Sequence, residues 1–350
     1  MSKRVLLIYS NYSSFVKSDY EILSEKYQVD RYKFRPRKGL FPFLFQFLKQ
    51  FVHLLINGWK YDVFFIWFAD YHSFLPTLFA HLSRKKSIII VGGFDAVSIP
   101  EIEFGVFYKN NLRTKFVRLS YKLTKFILPV DETLVKSTNY YVNPQGQKIG
   151  VLNFVENVEA AILVVPTGYD SDFWKRLNND NRRNVITVGG CSDWKTFRRK
   201  GHDFFLDVAR SMPEYKFTLC GIAEPMRREI IGLVPFNVKV LGFITQKEMI
   251  QQFSNHKVFT QFSLSEGLPN TLCEAMLCGC VPVGSNVNGI PDAIGETGFI
   301  LENQDVSKAV QLIEEALYCD DFIAPRERII KLYDIKKRKS EIGGLIESFK

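Results

Sequence analysis

Apolar positions along the chain follow two spacings. Short β-branched and aromatic runs predict strands at 5–9, 63–67, 87–91, 126–130 and 161–165, and again at 185–188, 216–220, 238–241, 258–262, 281–284 and 298–300. Longer stretches with helical periodicity separate them. Apolar runs spaced by helix lengths predict parallel sheets assembled from βαβ units. The alternation restarts at Val185, after the polar segment 177–184. The predicted architecture is therefore two Rossmann-like, doubly wound α/β domains over 1–165 and 185–325, joined by a linker at 166–184. A closing helix over 326–350 is expected to pack back on the body. Ligands of such sheets sit at the carboxyl ends of the strands, so a deep interdomain cleft facing both sheets is expected.

The stretch 40–57 is predicted as a helix with an unusual surface. Helical spacing places Gln46, Lys49, Gln50, His53 and Asn57 on one narrow polar stripe beside a wide Phe/Leu face. The basic run Arg31-Tyr-Lys-Phe-Arg-Pro-Arg-Lys38 precedes it. Two readings stay open: a buried helix of the first domain, or an amphipathic helix on an anionic membrane surface. A second basic and aromatic stretch at 108–125 adds to the case for peripheral membrane contact. Pro42, Gln46, Lys49, Gln50 and His53 interrupt the apolar run, which falls short of the roughly 20 residues of a bilayer span. The five apolar residues at 5–9 are too few for a signal-peptide core and read as a first buried strand.

Composition changes the picture in one respect. With 46% hydrophobic and 24% charged residues the chain has an ordinary globular make-up, which excludes a disordered or low-complexity protein. The formal net charge of +9 is unevenly placed, however. Residues 1–165 hold 22 Lys and Arg against 13 Asp and Glu, whereas residues 166–350 hold 24 of each. An anionic partner should meet the first half. No nucleic-acid-binding motif accompanies that charge, so a phosphorylated or membrane-borne acceptor is expected and nucleic acid is not. The cysteines (191, 220, 273, 278, 280 and 319) form no CxxC pair and have no neighbouring His. They read as buried thiols in a reducing cytoplasm, with no metal site expected.

The chemistry concentrates in Ser265-Glu-Gly-Leu-Pro-Asn-Thr-Leu-Cys-Glu-Ala-Met-Leu-Cys-Gly-Cys-Val-Pro-Val-Gly284. A strand leads into a loop, a helix opens near Asn270, and Gly279 ends it. Pro269 fits just before or at the first helical position. Free amides near Leu268, Asn270 and Thr271, with the positive end of the helix dipole, then suit a diphosphate. Glu274, one turn in, is placed to accept hydrogen bonds from sugar hydroxyls. Glu266 lies beside whatever the diphosphate carries. In the first half, Asp95 follows Gly92 and Gly93 at a strand end. It is a candidate for contacting the acceptor hydroxyl or the transferred sugar, or equally a helix N-cap. His72 is a second acceptor-side candidate, its alternative being a satisfied core residue.

The two glutamates are spaced Glu-x7-Glu and followed by Ala-Met-x-x-Gly-x-Val-Pro-Val. This resembles the signature of the family 4, GT-B-fold retaining glycosyltransferases. Ordered matches extend the resemblance from the Pro166-Thr-Gly-Tyr-Asp170 element through Val185–Gly190, Arg199-Lys-Gly201, Phe217–Gly221, Val240–Phe243 and Asn286–Asp292. The resemblance implies that Lys200 grips the donor diphosphate, that Glu266 stands beside the transferred sugar, and that Glu274 holds the ribose. It implies that Gly189, Gly190 and Arg199 belong to the donor-phosphate loop. Gly267, Leu268, Pro269, Asn270 and Thr271 are implied as the rest of the donor site. It further implies retention of anomeric configuration, no metal, and no cofactor beyond a nucleotide-diphosphate sugar as co-substrate. The acceptor would be a glycan or a lipid-linked hydroxyl. One departure stands out: family members carry an arginine directly after the strand-ending glycine, where this chain has Gly190. Lys195, Arg198 and Arg199 are the candidate substitutes. The departure motivates an alternative, a catalytically silent GT-B-fold protein that binds a nucleotide sugar or scaffolds a partner.

Overall fold

In the computed structural model, which describes residues 2–35, 39–177 and 182–349, the chain forms two compact units. The first comprises Met1–Thr138, Lys148–Thr167 and Lys336–Lys350; the second comprises Asn139–Gln147 and Gly168–Ile335. The end of the basic run (36–38) and the middle of the expected linker (178–181) lie outside the described residues.

Among the described residues, the first unit is built on a six-stranded parallel sheet. Its strands are β1 (Arg4–Tyr9), β2 (Gln28–Lys33), β3 (Val63–Trp67), β4 (Lys86–Val91), β5 (Phe126–Pro129) and β6 (Ala161–Ile162), in the order β2-β1-β3-β4-β5-β6. The central strands are almost wholly buried, which is why they read as unbroken apolar runs. In the edge strand β2, Gln-Val-Asp-Arg-Tyr-Lys, only Val29 and Tyr32 are half-buried and the rest exposed, and hydrophobic patterning does not predict it. Four α-helices lie between successive strands β1 to β5: α1 (Ser14–Ser24), α2 (Leu40–Asn57), α3 (Tyr71–Leu82) and α4 (Leu112–Leu123).

The expected closing helix over 326–350 is in fact two helices, Ala324–Tyr333 and Ile335–Glu347, with extended backbone at Asp334 between them. The second belongs to the first unit through a buried ion pair. The Arg338 guanidinium donates to both carboxylate oxygens of Asp19 (2.6 and 2.7 Å) and to the carbonyls of Val165 and Pro166, while Trp67 Nε1 donates to Asp19 at 2.8 Å. Every polar group of the pair is thus matched, which a buried pair requires.

The second unit repeats the design. Its main elements are β7 (Val185–Cys191), α5 (Trp194–Arg199), α6 (His202–Arg210), β8 (Phe217–Ile222), α7 (Glu224–Ile230), β9 (Val238–Leu241), α8 (Gln246–Asn255), β10 (Val258–Gln261), α9 (Asn270–Leu277), β11 (Val281–Ser285), α10 (Gly289–Ile294), β12 (Phe299–Leu301) and α11 (Val306–Tyr318). The parallel sheet has the order β9-β8-β7-β10-β11-β12. The stretch expected to be a linker is packed into this unit where it is described. Trp174 is buried, and buried Arg182 donates to the carbonyls of His256 and Gly279.

Helix α2 departs from the buried-helix reading. Its buried residues are Gln46, Gln50 and Leu54, so part of the polar stripe faces the body and most of the Phe/Leu face points outward. Gln50 Nε2 donates to the His72 carbonyl at 2.9 Å. Against the expectation from its interruptions, Leu40–Lys60 is long and apolar enough, by length and composition alone, to cross a membrane.

Candidate active site

Strand order in the second unit reverses between β7 and β10, and the loops at their carboxyl ends bring the predicted donor residues together. From β7 the chain runs through Gly189 and Gly190 into the short helix α5, capped by the Asp193 carboxylate, which accepts from the Thr196 amide at 2.8 Å. Lys200 closes α5, and Gly201 follows with φ +67°; a Cβ there would lie 2.0 Å from the Phe262 carbonyl oxygen. Only glycine fits this joint, which holds Lys200 against the loop after β10.

Lys200 Nζ donates to Glu266 Oε1 at 2.6 Å. The same oxygen accepts from Ser263 Oγ (2.7 Å) and Gln261 Nε2 (3.2 Å). Burial works to raise the Glu266 carboxyl, but Lys200, Arg199 and the Ser263 hydroxyl together outweigh it, and Glu266 sits below the ordinary carboxylate range. A Cβ on Gly189 would come within 3.0 Å of the His202 ring and 3.3 Å of Lys200 Cδ, so the bare backbone there is what leaves room for both side chains.

Among the candidates for the missing arginine, Lys195 and Arg198 are exposed. Arg199 is half-buried, donates to the Ser265 carbonyl at 3.2 Å and helps hold Glu266 ionised. Gly190 is exposed at the strand end. The cationic edge of the site is Lys200 with Arg199.

Helix α9 opens at Asn270 with Pro269 as its N-cap, settling the sequence alternatives for that proline, and no side chain caps it. The amides of the first turn therefore lack an intrahelical acceptor and a cap. Gly267, Leu268 and Pro269 are buried in the approach loop, and the Gly267 carbonyl accepts from the Gly289 amide of α10 at 3.2 Å. Asn270 Oδ1 accepts from the Tyr169 hydroxyl at 2.8 Å. Thr271 Oγ1 donates to the Val188 carbonyl at 3.2 Å, which ties the helix start to β7. Glu274, one turn in, is buried, and burial alone raises its carboxyl to about 8. It is neutral at pH 7 until a hydrogen-bond donor or cation reaches it.

Three groups of this region escaped sequence reasoning. His202 donates from Nε2 to the Gly189 carbonyl (3.2 Å), leaving its buried Nδ1 without a partner. Burial, with Lys200 and Arg199 nearby, holds this imidazole down at about 3, so it is neutral. Ser265 Oγ is also buried without a partner. Asn288 caps α10 with φ +48° and ψ −131°, a backbone conformation natural to glycine, and both polar atoms of its buried carboxamide lack partners. The sequence signal was available only as an Asn standing before Gly289 in the Asn286–Asp292 turn.

The acceptor-side candidates have a different fate. Asp95 is fully buried; Oδ2 accepts from the Ala69 amide (2.9 Å) and the Tyr121 hydroxyl (3.0 Å), and Oδ1 from the amides of Gly92 (3.1 Å) and Gly93 (3.2 Å). It stitches β3 to the β4 turn and has no oxygen to offer a substrate. The N-cap alternative fails too, since Asp95 sits inside a 3₁₀ turn whose cap is Gly93. His72 is likewise a core residue: its Nε2 meets the Trp67 carbonyl at 2.9 Å, and burial lowers its pKa. The cysteines are free thiols, buried except for half-buried Cys319, and among the described residues no group of three His, Cys, Asp or Glu is arranged to hold a metal ion.

Two parallel α/β units, one carrying a cationic loop and an uncapped helix at its switch point, define the GT-B class. Residues 182–318, which lie in the second unit, match the family described as Glycosyl transferases group 1. The chain is 26% identical over 195 residues to a phosphatidylinositol N-acetylglucosaminyltransferase component from Arabidopsis thaliana, covering 51% of this chain and 43% of that protein. It is 32% identical over 145 residues to the serotype-specific mannosyltransferase WbdA of Escherichia coli, covering 39% of this chain and 18% of the relative. The chain thus spans less than half the length of these curated relatives. Among solved structures, sucrose-phosphate synthase from Thermosynechococcus elongatus superposes with a TM-score of 0.74 at 14% identity, over 99% of this chain and 98% of the other. Anabaena HepE in complex with UDP and glucose does so with a TM-score of 0.70 at 14% identity, over the full length of both. These similarities establish the fold as GT-B.

Proposed function

We propose that the protein is a retaining glycosyltransferase that moves a hexose-type sugar from a nucleoside diphosphate to a hydroxyl of a glycan or lipid-linked acceptor. The observation that carries this reading is the pairing of Lys200 with Glu266 beside the uncapped N-terminus of α9. On donor binding the Lys200 ammonium turns to the diphosphate, with Arg199 and the amides of Leu268, Asn270 and Thr271 completing the anion site. These groups act where negative charge grows as the bond from the anomeric carbon to the phosphate oxygen breaks. They take the place of a divalent ion. Glu274 accepts from the ribose hydroxyls, and Glu266 stands against the transferred sugar. The acceptor oxygen attacks the anomeric carbon from the face the phosphate leaves. Its proton passes to the departing phosphate oxygen, so configuration is retained without an enzymic nucleophile.

The relatives named above include an N-acetylglucosaminyltransferase component and a mannosyltransferase, and the HepE structure holds UDP and glucose; all fit a nucleotide-sugar donor. The test is turnover of a panel of UDP- and GDP-linked sugars, with the product anomer read by NMR. A product with the donor's configuration supports the reading. An inverted product refutes the mechanism, and no turnover of any donor, in the presence of acceptor extracts, favours the catalytically silent alternative.

A further inference from the structure

Helix α2 turns the usual amphipathic arrangement inside out. Leu40, Phe41, Leu44, Phe45, Leu48, Phe51, Val52, Leu55 and Ile56 follow helical spacing on its outer side, and all are exposed. Phe41 is 84% exposed, Ile56 72% and Trp59, just beyond the helix, 63%. A monomer rarely leaves such a continuous apolar patch in water. The inner side is fixed to the first unit by Gln50 and Leu54, and by Phe47, which stacks on Phe116 of α4 at 5.6 Å between ring centroids. A helix held along its length by the body lies on a membrane; spanning one would carry Lys49 and His53 into hydrocarbon and break that packing.

Charge says what covers the face. From residue 31 to 61 the sequence holds no Asp or Glu, and from 104 to 130 it again holds none, while both stretches are rich in Lys and Arg. Arg31, Lys33, Arg35 and Lys49 are exposed around α2. On α4, Leu112, Lys115, Leu119 and Lys122 are exposed at helical spacing, mixing apolar and basic groups on one face. Beyond the end of α2 a cavity of about 750 Å³ is lined by Lys60, Arg84, Lys85 and Lys86 with one carboxylate, Asp62; Lys85 pairs with Asp62 (3.9 Å) and Lys60 with Asp30 (3.0 Å), leaving the lining net basic. It adjoins the apolar patch, since Lys85 Nζ donates to the Trp59 carbonyl at 3.3 Å.

We propose that α2 is an in-plane anchor by which the first unit docks on an anionic lipid bilayer, its Phe/Leu face among the acyl chains and the flanking basic groups, including the cavity, on the headgroups. The proposal does not depend on the reaction assigned above. The test is flotation with vesicles of phosphatidylcholine with and without phosphatidylglycerol, on the full chain and on F41S/F45S/I56S, whose altered side chains are exposed and leave the core intact. Wild type should float with phosphatidylglycerol vesicles, less at high salt, and Trp59 emission should shift to the blue, a shift absent from W59F. The triple variant should lose at least about tenfold in affinity, while its release of nucleotide from a soluble donor is unchanged. Wild type that floats with neither vesicle overturns the proposal. So does a dimer in solution that the serine substitutions dissolve, which would assign the face to a second copy of the chain.

Discussion

Each unit is built on a six-stranded parallel sheet, ordered β2-β1-β3-β4-β5-β6 in the first and β9-β8-β7-β10-β11-β12 in the second, and the carboxyl ends of their strands differ in character. In the first unit the two candidate side chains there are saturated, Asp95 accepting four hydrogen bonds and His72 closed onto the Trp67 carbonyl, and the open groups are few: Ser13 Oγ after β1 is buried without a partner and α1 starts without a side-chain cap. In the second unit, polar groups are left with capacity to spare. The helix start is uncapped, Glu274 has no charge partner, and Ser265, His202 and Asn288 keep buried atoms unpartnered. Native proteins rarely leave buried polar atoms unpaired, so a cluster of them marks where something else binds. What separates the two ends is the number of open groups and their gathering around the Lys200–Glu266 pair.

The sharpest way to break this contrast is to exchange the expected effects. Lys200→Ala should lower the turnover of the nucleotide sugar by roughly 100- to 1,000-fold, measured as initial rates, with Glu266→Gln falling in the same direction and the folded fraction unchanged. Asp95→Ala should do the reverse, lowering stability in urea by about 3 kcal/mol because three amides and a hydroxyl lose their acceptor. Its rate per folded molecule should stay within about threefold of wild type, as expected of a group that only shapes the scaffold.

Glu274 gives a finer test through pH. Its carboxyl is raised from 4.5 to about 8 by burial, so the folded state holds the proton more tightly than the unfolded one. The stability this confers is complete below 4.5 and is lost as pH rises through 8, with a slope of up to about 1.4 kcal/mol per pH unit. Glu274→Gln should flatten that slope in denaturant titrations across the range. Nucleotide affinity should increase toward pH 8 in wild type, as the carboxylate forms, and be level in the variant. Asn288→Gly should have the smallest effect, a gain of about 1 kcal/mol from relief of the positive-φ strain with weaker donor binding by calorimetry. Stabilisation without loss of affinity would place Asn288 outside the site.

How much of this is legible in the sequence follows from what burial does to residue types. Strands covered on both faces are apolar throughout and can be placed from the sequence, as with Phe64 and Phe65 or Val258 and Phe259. The edge strand β2 is polar and cannot. The Glu-x7-Glu spacing places Glu266 in the approach loop and Glu274 one turn into the helix that follows, because loop and helix are contiguous in the chain. Asp95 shows the limit: Gly-Gly-Phe-Asp reads the same whether the carboxylate reaches outward or folds back on the glycine amides, and here it folds back. Periodicity found the polar stripe of α2 but not which side of the helix meets the body, since Gln50 satisfies its amide on the His72 carbonyl rather than in water. Arg199 is singled out from its neighbours only by its contact with the Ser265 carbonyl, across 66 residues of chain.

The central claim is that the donor diphosphate binds at the switch point of the second unit and nowhere on the first. Hydrogen–deuterium exchange with and without UDP or GDP reads this directly. The account predicts slowed exchange at the amides of Leu268, Asn270 and Thr271 and around Lys200, with no change at 10–14, 68–73 or 92–96. Protection at those first-unit turns, with the α9 amides unaffected, would contradict it.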